Sequence, residues 1–401
     1  MTLIPIERPD EMTGAQHICN KPSLTSLFFS FLKLGATAFG GPAMIPYIGR
    51  MAVEKRMWLD EQTFRDGVAL CQTIPGATAM QVSAYVGFRA RGVIGAAVSF
   101  IGFGLPAFLL MVGLSNFYIR SQTLPPIVSV FAGLQTIVVA IVANAAVSFG
   151  KTSLKALRDV MITVIAAAMF ALRVSPILVI VLAAASGVVL YNRESVPSVG
   201  SSATQQPSST RSLLVIATVT GFVLVVLFIA ERKLFDLATV MLRIDLFAFG
   251  GGFASVPLMF HEIVEVRSWI DSQTFINGIA LGQVTPGPIV ITATFVGYML
   301  YGLLGAVVAT LSVFLPSFLV VIGVTPYFDR LRKSIYFTAT IRAVLCSFVG
   351  LLLTVAFRFA SDIPWNISRV TLAIAAFLAL LLKVEIIWIV LVGTVVSILF
   401  L

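Results

Sequence analysis

The sequence predicts an all-α protein that crosses a membrane many times and consists of two homologous halves. Three observations carry this prediction: scarce charge, recurring long apolar runs, and a duplicated set of glycine- and proline-rich motifs. Of the 401 residues, 58% are hydrophobic and only 11% are charged, with a mean hydropathy of +1.00. A soluble domain carries about 25% charged residues, so most of the surface of this chain faces lipid.

Apolar runs near the length that spans a bilayer, about 20 residues, occur along the whole chain. We count about 12–13 membrane segments of this kind, six in each half and one between the halves. The first half contains 24–48, 66–88, 92–118, 125–149, 159–172 and 174–191. The second half contains 235–258, 277–300, 302–326, 335–357, 366–382 and 384–401, and 212–230 lies between the halves.

A polar linker divides the chain near its middle. Residues 192–211 are rich in Ser, Pro and other polar residues, which cannot lie in hydrocarbon. The predicted organisation is a tail (1–22), a first repeat (23–191), the linker (192–211), a connecting helix (212–230) and a second repeat (231–401). If every segment spans, an odd number of crossings separates equivalent helices, which inverts the second repeat. Inverted repeats are a common plan of secondary transporters, although 24–48 and 66–88 are also candidates for re-entrant segments.

The duplication is visible in three matched motifs. FLKLGATAFGGP (31–42) matches MLRIDLFAFGGG (241–252), and WLDEQTFRDGVALCQTIPG (58–76) matches WIDSQTFINGIALGQVTPG (269–287) with 11 of 19 positions identical. Leu105-Pro106 then matches Leu315-Pro316. Such identity exceeds what apolar composition alone produces, so the two halves are internal repeats.

Glycine clusters interrupt the first apolar segment of each repeat. They are Gly40-Gly41-Pro42 and Gly250-Gly251-Gly252. Glycine and proline break helices, and broken backbone survives at membrane depth only inside protein or beside a cavity. Close helix packing through small residues is the alternative, but recurrence in both repeats favours a break.

A second break follows at Pro75-Gly76 and at Pro286-Gly287-Pro288, preceded by Gln72 and Gln283. Breaks of this kind free backbone N–H groups at the start of a half-helix, where the helix dipole attracts anions. Two such breaks facing each other would form an anion site near the midplane. The alternatives are a proline kink without a ligand and glutamines that bond neighbouring helices.

Each repeat carries a cation seven residues before its glycine cluster, Lys33 in the first and Arg243 in the second. Charges at membrane depth are costly and usually functional, and two cations suit an anionic substrate. Snorkelling from a helix end is the alternative. Asp245 lies two residues after Arg243 and is a candidate for proton coupling. The charged stretches 50–60 and 261–271 are predicted to be solvated faces, with Trp58 and Trp269 as interfacial anchors.

Other functions lack support in the sequence. His17 and His261 are the only histidines, so we expect no metal site and no Ser/His/Asp triad. A Walker lysine motif is absent, so ATP hydrolysis is not expected. We predict no enzymatic activity and no cofactor. The net charge of +9 fits basic loops that contact membrane lipid rather than a nucleic-acid partner.

Both sets of motifs resemble the chromate ion transporter family in its long, two-domain form. The resemblance covers nearly the whole chain, with both FGG clusters, both tryptophan loops and both Q-x-x-P-G segments in order. It implies efflux of chromate across the cytoplasmic (inner) membrane, resistance to chromate, and an ion gradient as the driving force. Sulfate is the tetrahedral dianion that chromate mimics. The repeats differ, since Ala77 and Pro42 stand where the second repeat has Pro288 and Gly252.

The sequence thus supports a secondary transporter that exports chromate by alternating access. The predicted binding residues are the two cations, the two glutamines and the residues of the four breaks. A transporter or channel for sulfate or another small anion is the alternative. A scaffold without transport would gain nothing from paired breaks, and a homo-oligomer is left open.

Overall fold

The computed structural model describes residues 21–38, 44–191 and 210–400, and these residues form helices joined by short connections. The first-repeat helices are α1 (Leu24–Thr37), α2 (Met44–Gly49, continued by the π-helical turn Arg50–Lys55), α3 (Glu61–Thr73), α4 (Thr78–Ser121), α5 (Pro125–Ser153), α6 (Leu157–Ala171) and α7 (Pro176–Leu190). The second-repeat helices are α9 (Arg232–Phe247), α10 (Ser255–Met259, between the 3-10 turn Gly252–Ala254 and the π-helical segment Phe260–Val266), α11 (Ser272–Val284), α12 (Thr292–Val324, preceded by the 3-10 turn Ile289–Ile291), α13 (Phe328–Arg332), α14 (Ile335–Asp362), α15 (Ile367–Leu381) and α16 (Ile386–Phe400).

The connecting helix α8 (Thr210–Ala230) lies between the repeats. Most of the predicted tail and linker, and the cluster Gly40, Gly41 and Pro42, lie outside the described residues.

Five helical stretches are long and apolar enough to cross a membrane, which confirms a multi-pass membrane protein. They are Thr78–Ser121, Pro125–Ser153, Leu213–Ala230, Ile289–Arg332 and Ile335–Asp362. Shorter apolar helices complete both repeats, so each predicted apolar segment contains helix.

The helix α4 is two helices joined by a sharp turn. At Arg91 and Gly92 the backbone leaves the helical region, and Gly92 has φ 65° and ψ −155°. The halves, α4a (78–90) and α4b (93–121), fold back on each other through glycines. A Cβ on Gly87 would lie 2.2 Å from the Gly95 carbonyl oxygen. The helix α12 turns in the same way at Tyr301-Gly302, giving α12a (292–300) and α12b (303–324).

The helices α3 and α4a form a hairpin, which we name hairpin 1 (61–90). The Tyr85 hydroxyl donates to the Thr63 carbonyl oxygen at 3.2 Å, and Gly67 packs against the Tyr85 ring. With 13 residues, α3 is about 20 Å long, too short for a hydrocarbon core of about 30 Å. Segment 66–88 is therefore re-entrant. Its counterpart, hairpin 2 (272–300), is closed by packing of Gly278 against Phe295.

The start of α1 and the end of α2 lie on the same side of the protein, at the base of hairpin 1. Arg91 Nε donates to the Pro22 carbonyl oxygen at 2.6 Å, which places the start of α1 at the base of hairpin 1. After α2, the Trp58 N–H donates to the Ala52 carbonyl oxygen at 2.8 Å, directly before α3. Both ends of the α1–α2 pair lie at this base, so segment 24–48 is re-entrant as well.

The two hairpins enter from opposite ends of α12b. This helix starts at the turn that closes the base of hairpin 2. Beyond its last turn, Thr325 and Asp329 share a cavity with Asp60 and Arg89, at the base of hairpin 1. Segments 24–48 and 66–88 both turn back without crossing, which takes two crossings from the predicted count. The number of crossings between equivalent helices therefore stays odd. This geometry is the one that inverted repeats require.

The repeats are intertwined at their ends. The α6–α7 hairpin of the first repeat packs on α14, and the α15–α16 hairpin of the second packs on α5. Thr163 of α6 donates to the Cys346 carbonyl oxygen of α14 at 2.9 Å. Gly133 of α5 leaves space for Ser397 of α16. Each repeat therefore completes the packing of the other.

The repeated W-x-D-x-Q-T-F motif starts the first helix of each hairpin. Asp60 Oδ1 accepts from the Thr63 N–H at 2.8 Å, and Asp271 Oδ1 accepts from the Thr274 N–H at 2.9 Å. Burial opposes ionisation of Asp60, but the bonds from Thr63, the bond from its own backbone N–H and the charge of Arg89 together hold the pKa of Asp60 below its usual value. Both carboxylates are helix N-caps.

The prediction that Trp58 is an interfacial anchor is wrong. Only 4% of Trp58 is exposed, and its ring packs 6.4 Å from the ring of Phe31 in α1. The tryptophan thus joins the base of hairpin 1 to α1.

Gly92→Ala is expected to lower the free energy of unfolding by about 1–3 kcal/mol, since its φ/ψ region is almost exclusive to glycine. Within 4 Å of an added Cβ there is no described atom, so the effect isolates backbone strain. Thermal unfolding in detergent is the measurement. Gly113→Ala, in open space within α4b, is the control and should be neutral or slightly stabilising.

Candidate functional site

The tip of each re-entrant hairpin meets the other repeat at its broken helix. In hairpin 1, the Gly76 N–H donates to the Ala248 carbonyl oxygen at 2.9 Å, and the Ala77 N–H donates to Ser317 Oγ at 3.0 Å. Gly76 has φ 116°, and a Cβ there would lie 2.0 Å from Ser317 Oγ. Only glycine fits this contact, which explains the Pro75-Gly76 break.

The glycine cluster of the second repeat lies between both hairpin tips. Gly250 and Gly251 have φ 95° and 92°, a region that glycine adopts without strain. A Cβ on Gly251 would lie 3.0 Å from Thr78 Oγ1, and one on Gly252 would lie 3.1 Å from Ile289 Cγ2. The cluster thus touches the first residue of α4a and the first residue of the turn leading into α12a.

Three broken helices therefore begin at one place, and none is capped by a side chain. The residues at the N-cap positions are Ala77 before α4a, Gly251 before the turn into α10, and Pro288 before the turn into α12a. Within the described chain, no N-cap side chain bonds an N–H group at these starts, although the Ala77 N–H itself donates to Ser317 Oγ. Uncapped helix N-termini present N–H donors and a positive dipole end, so they attract anions.

This pattern is opposite to that at the outer ends of the hairpins. There α3 and α11 start at Asp60 and Asp271, whose carboxylates accept from the free N–H groups. An aspartate cap satisfies the same donors that an anion would use. The starts inside the protein lack such a carboxylate cap.

The breaks predicted from the sequence are brought together in this way. Pro75, Gly76, Pro286, Gly287 and Pro288 form the two hairpin tips, and Gly250, Gly251 and Gly252 lie between them. Gly287, with φ 137°, packs against Ala107 of α4b. The geometry of Gly40, Gly41 and Pro42 lies outside the described residues.

The two cations are not at the tips. Lys33 is exposed on α1 and makes no ion pair within the described part of the chain. The Arg243 guanidinium bonds Glu262 at 2.8 Å. Two residues are about 200° around a helix, so Arg243 and Asp245 lie on opposite faces of α9. A role of Lys33 and Arg243 in substrate binding stays a prediction.

The sequence predicted that the charged stretch after α10 (261–271) is a solvated face, and this prediction is wrong. Glu262 also bonds Arg267, and Glu265 bonds both His261 and Arg358. His261 and Glu262 are each 6% exposed. The π-helical turn directs these side chains inward, where Arg358 of α14 provides a partner that the local sequence does not reveal.

Asp245 is fully buried and bonds the Pro316-Ser317 turn of α12b. Its Oδ2 accepts from the Ser317 N–H at 2.8 Å and from Ser317 Oγ at 2.7 Å. The same Oγ accepts from the Ala77 N–H. Asp245 is thus connected through one hydroxyl to the tip of hairpin 1.

The glutamines lie in different environments. Gln72 is exposed, whereas Gln283 is half-buried and its Nε2 has no hydrogen-bond partner among the described residues. Gln81, which sequence reasoning missed, donates from Nε2 to the Pro75 carbonyl oxygen at 2.5 Å. Gln283, three residues before Pro286, thus carries an amide donor that no described residue accepts from.

Sequence reasoning also missed Thr78 and Ser317. A signal for Ser317 existed, because the repeats differ twice in concert: Asp245 and Ser317 stand where the first repeat has Gly35 and Ala107. Thr78 has no comparable signal. Its place beside Gly251 arises only when the two repeats pack together.

Comparison with known proteins assigns the chain to a family. The model of the chromate transporter family matches residues 25–188 and 235–398, one match for each repeat. An uncharacterized transporter of Methanocaldococcus jannaschii is 42% identical, covering 94% of each chain. A chromate transport protein of Pseudomonas aeruginosa is 30% identical over 93% of this chain and 90% of its own. One of Cupriavidus metallidurans is 29% identical over 89% of each. No solved structure matches. Two matched repeats and relatives aligned along nearly their full length show that the chain belongs to the chromate transporter family.

Proposed function

We propose that the protein is a secondary active transporter that exports chromate across the cytoplasmic membrane and confers resistance to chromate. The observation that carries this proposal is the convergence of three uncapped half-helix N-termini at Gly251, Thr78 and Ile289. Such N–H groups bind tetrahedral oxyanions without a metal or a cofactor. The names of the Pseudomonas and Cupriavidus relatives support chromate as the cargo.

The site recognises charge and shape, properties that chromate shares with sulfate. Backbone N–H groups supply donors in fixed directions, and the dipole ends favour a dianion. Sulfate is therefore the second candidate cargo of the same site. Asp245 is the proposed coupling residue, since a buried carboxylate in a membrane protein is a common element of proton relays.

Labelled chromate uptake into inverted membrane vesicles tests this function. We expect accumulation against the chromate gradient, loss of accumulation when the proton gradient is collapsed, and competition by unlabelled sulfate. Inverted vesicles reproduce export as uptake, so the direction of transport is read directly. Equilibration without accumulation would identify an anion channel instead, and absence of chromate flux would refute the proposal.

Lys33→Ala and Arg243→Ala are expected to abolish chromate resistance while membrane levels stay normal, because each removes a positive charge that we propose attracts the anion. The structure adds a control for Arg243, which bonds Glu262. The double variant Arg243→Ala/Glu262→Ala should remain inactive if Arg243 attracts the anion. Recovery of resistance in the double variant would show that Arg243 only neutralises Glu262. Full resistance in both single variants would show that neither Lys33 nor Arg243 binds the anion.

A further inference from the structure

The two junctions between hairpin tip and opposite repeat are chemically different, although the repeats are equivalent in fold. At hairpin 1, Asp245, Ser317 and the Ala77 N–H form a buried hydrogen-bonded chain. At hairpin 2 the equivalent positions are Gly35 and Ala107. A Cβ on Gly35 would lie 2.1 Å from the Phe103 carbonyl oxygen. Direct backbone packing thus replaces the polar chain, and among the described residues of the two junctions only Asp245 can bind and release a proton.

Two buried oxygen atoms at this junction lack partners among the described residues. They are Asp245 Oδ1 and Gln81 Oε1. Both Ser317 and Gln81 surround Gly76, where an added Cβ would lie 2.0 Å from Ser317 Oγ and 2.8 Å from Gln81 Nε2. An ionised Asp245 would add one more acceptor without a donor, which is costly when buried. A proton on Oδ1 would turn this acceptor into a donor.

No charged group of the described chain offsets a charge on Asp245. Ser317 is its hydrogen-bond partner from α12, and hairpin 1 presents the neutral amide of Gln81. On α9 itself, Arg243 lies on the opposite face with Glu262. Asp236 is nine residues away, about two and a half turns. The closed junction therefore fits the protonated, neutral form of Asp245.

The bases of the hairpins are held differently as well. At hairpin 2, Gln135 Nε2 donates to Asn277 Oδ1 at 2.9 Å, and Asn277 Nδ2 donates to the Tyr118 hydroxyl at 3.1 Å, all buried. At hairpin 1, Asp66 and Arg332 are 3.7 Å apart and more than one-third exposed. Asp66 also lines a polar cavity of about 330 Å³ between hairpin 1 and the end of α12b. Exposed ion pairs stabilise little, so hairpin 1 is the more weakly anchored of the two.

We infer that Asp245 is a proton-binding site that, through Ser317, latches hairpin 1 against the second repeat, so that loss of the proton releases this hairpin. The proton adds to Asp245 Oδ1 and leaves from the same oxygen, and no other bond changes. Hairpin 1 is the moving element and hairpin 2 the static one. The inference rests on the proposed transport function and assigns its coupling step to one junction.

The native cysteines provide the test. Cys71 is fully buried in α3 of hairpin 1, and Cys346 is fully buried in α14. In a Cys19→Ser background, the rate of N-ethylmaleimide labelling of Cys71, divided by that of Cys346 in the same sample, reports release of hairpin 1. We expect this ratio to rise roughly tenfold or more between about pH 5 and about pH 8, as a single titrating group permits.

Two variants should have opposite effects. Asp245→Asn keeps an acceptor for Ser317 and cannot lose a proton, so the ratio should stay low at every pH and transport should fall. Ser317→Ala removes the connection to Ala77, so the ratio should stay high at every pH. The matched controls are Asp236→Asn, exposed on the same helix as Asp245, and Ser312→Ala on the same helix as Ser317. Both controls should follow the parent protein.

A pH-independent ratio in the parent protein would overturn the inference, as would an Asp245→Asn variant that responds to pH like the parent. If Asp245→Asn does not fold, the pH dependence of the labelling ratio in the parent protein and in Ser317→Ala still tests the inference. The labelling needs no substrate. A protein that shows the pH-dependent ratio but no chromate flux would refute the proposed function alone, and chromate flux with a flat ratio would refute the latch alone.

Discussion

Gly251→Ala is expected to abolish chromate transport while the protein still reaches the membrane. Gly251 has φ 92° and ψ −169°, a region in which residues with a Cβ are strained by about 1–3 kcal/mol. The added Cβ would also lie 3.0 Å from Thr78 Oγ1. It would therefore push apart the two helix starts whose N–H groups are proposed to hold the anion.

Flux of labelled chromate in proteoliposomes, at matched protein amounts, measures the effect. A displacement worth about 1.4 kcal/mol already lowers binding tenfold, so we expect a loss of at least that size. Gly221→Ala is the matched control, because Gly221 lies in α8 with no described atom within 4 Å of an added Cβ. Normal transport by Gly251→Ala would exclude this junction as the anion site.

Arg342→Ala is expected to destabilise the protein by about 3–5 kcal/mol, because it leaves a buried carboxylate without its cation. Asp159 of α6 is 0% exposed and accepts from Arg342 of α14 at 2.9 Å. The Tyr191 hydroxyl and the Lys155 and Ala156 N–H groups bond the same carboxylate. Since α6 and α14 belong to different repeats, this cluster joins the two halves.

Thermal unfolding in detergent and the yield of folded protein are the measurements for Arg342→Ala. The double variant Asp159→Asn/Arg342→Ala should recover part of the stability, since a neutral amide costs less to bury than a lone charge. Arg330→Ala, at an exposed position in α13, serves as the surface control. A double variant as unstable as Arg342→Ala would show that the charge on Asp159 is not the cause.

The proposed latch and the proposed anion site share one junction, which would give a physical route for coupling. Ala77 is the N-cap position of α4a and also donates to Ser317, the partner of Asp245. A movement of hairpin 1 therefore shifts one of the three helix starts at the proposed anion site. Proton release and anion release would follow from the same displacement.

The sequence by itself determined the class of protein, the duplication and the breaks. Apolar runs and scarce charge predict membrane helices because lipid excludes unpaired polar groups. The glycine and proline breaks are visible locally, since their chemistry acts on their own backbone. The matched motifs identified the family, which the comparisons confirm.

Only the tertiary structure decided which parts meet. Segments 24–48 and 66–88 have the composition of spanning helices, but their halves are too short to cross and pack as re-entrant pairs. The pairing of Arg243 with Glu262, and of Ser317 with Asp245 and Ala77, joins residues 19 to 240 positions apart. Local periodicity carries no information about such distances. The sequence therefore specifies the broken helices, and the packing of the two repeats brings three of their N-termini together.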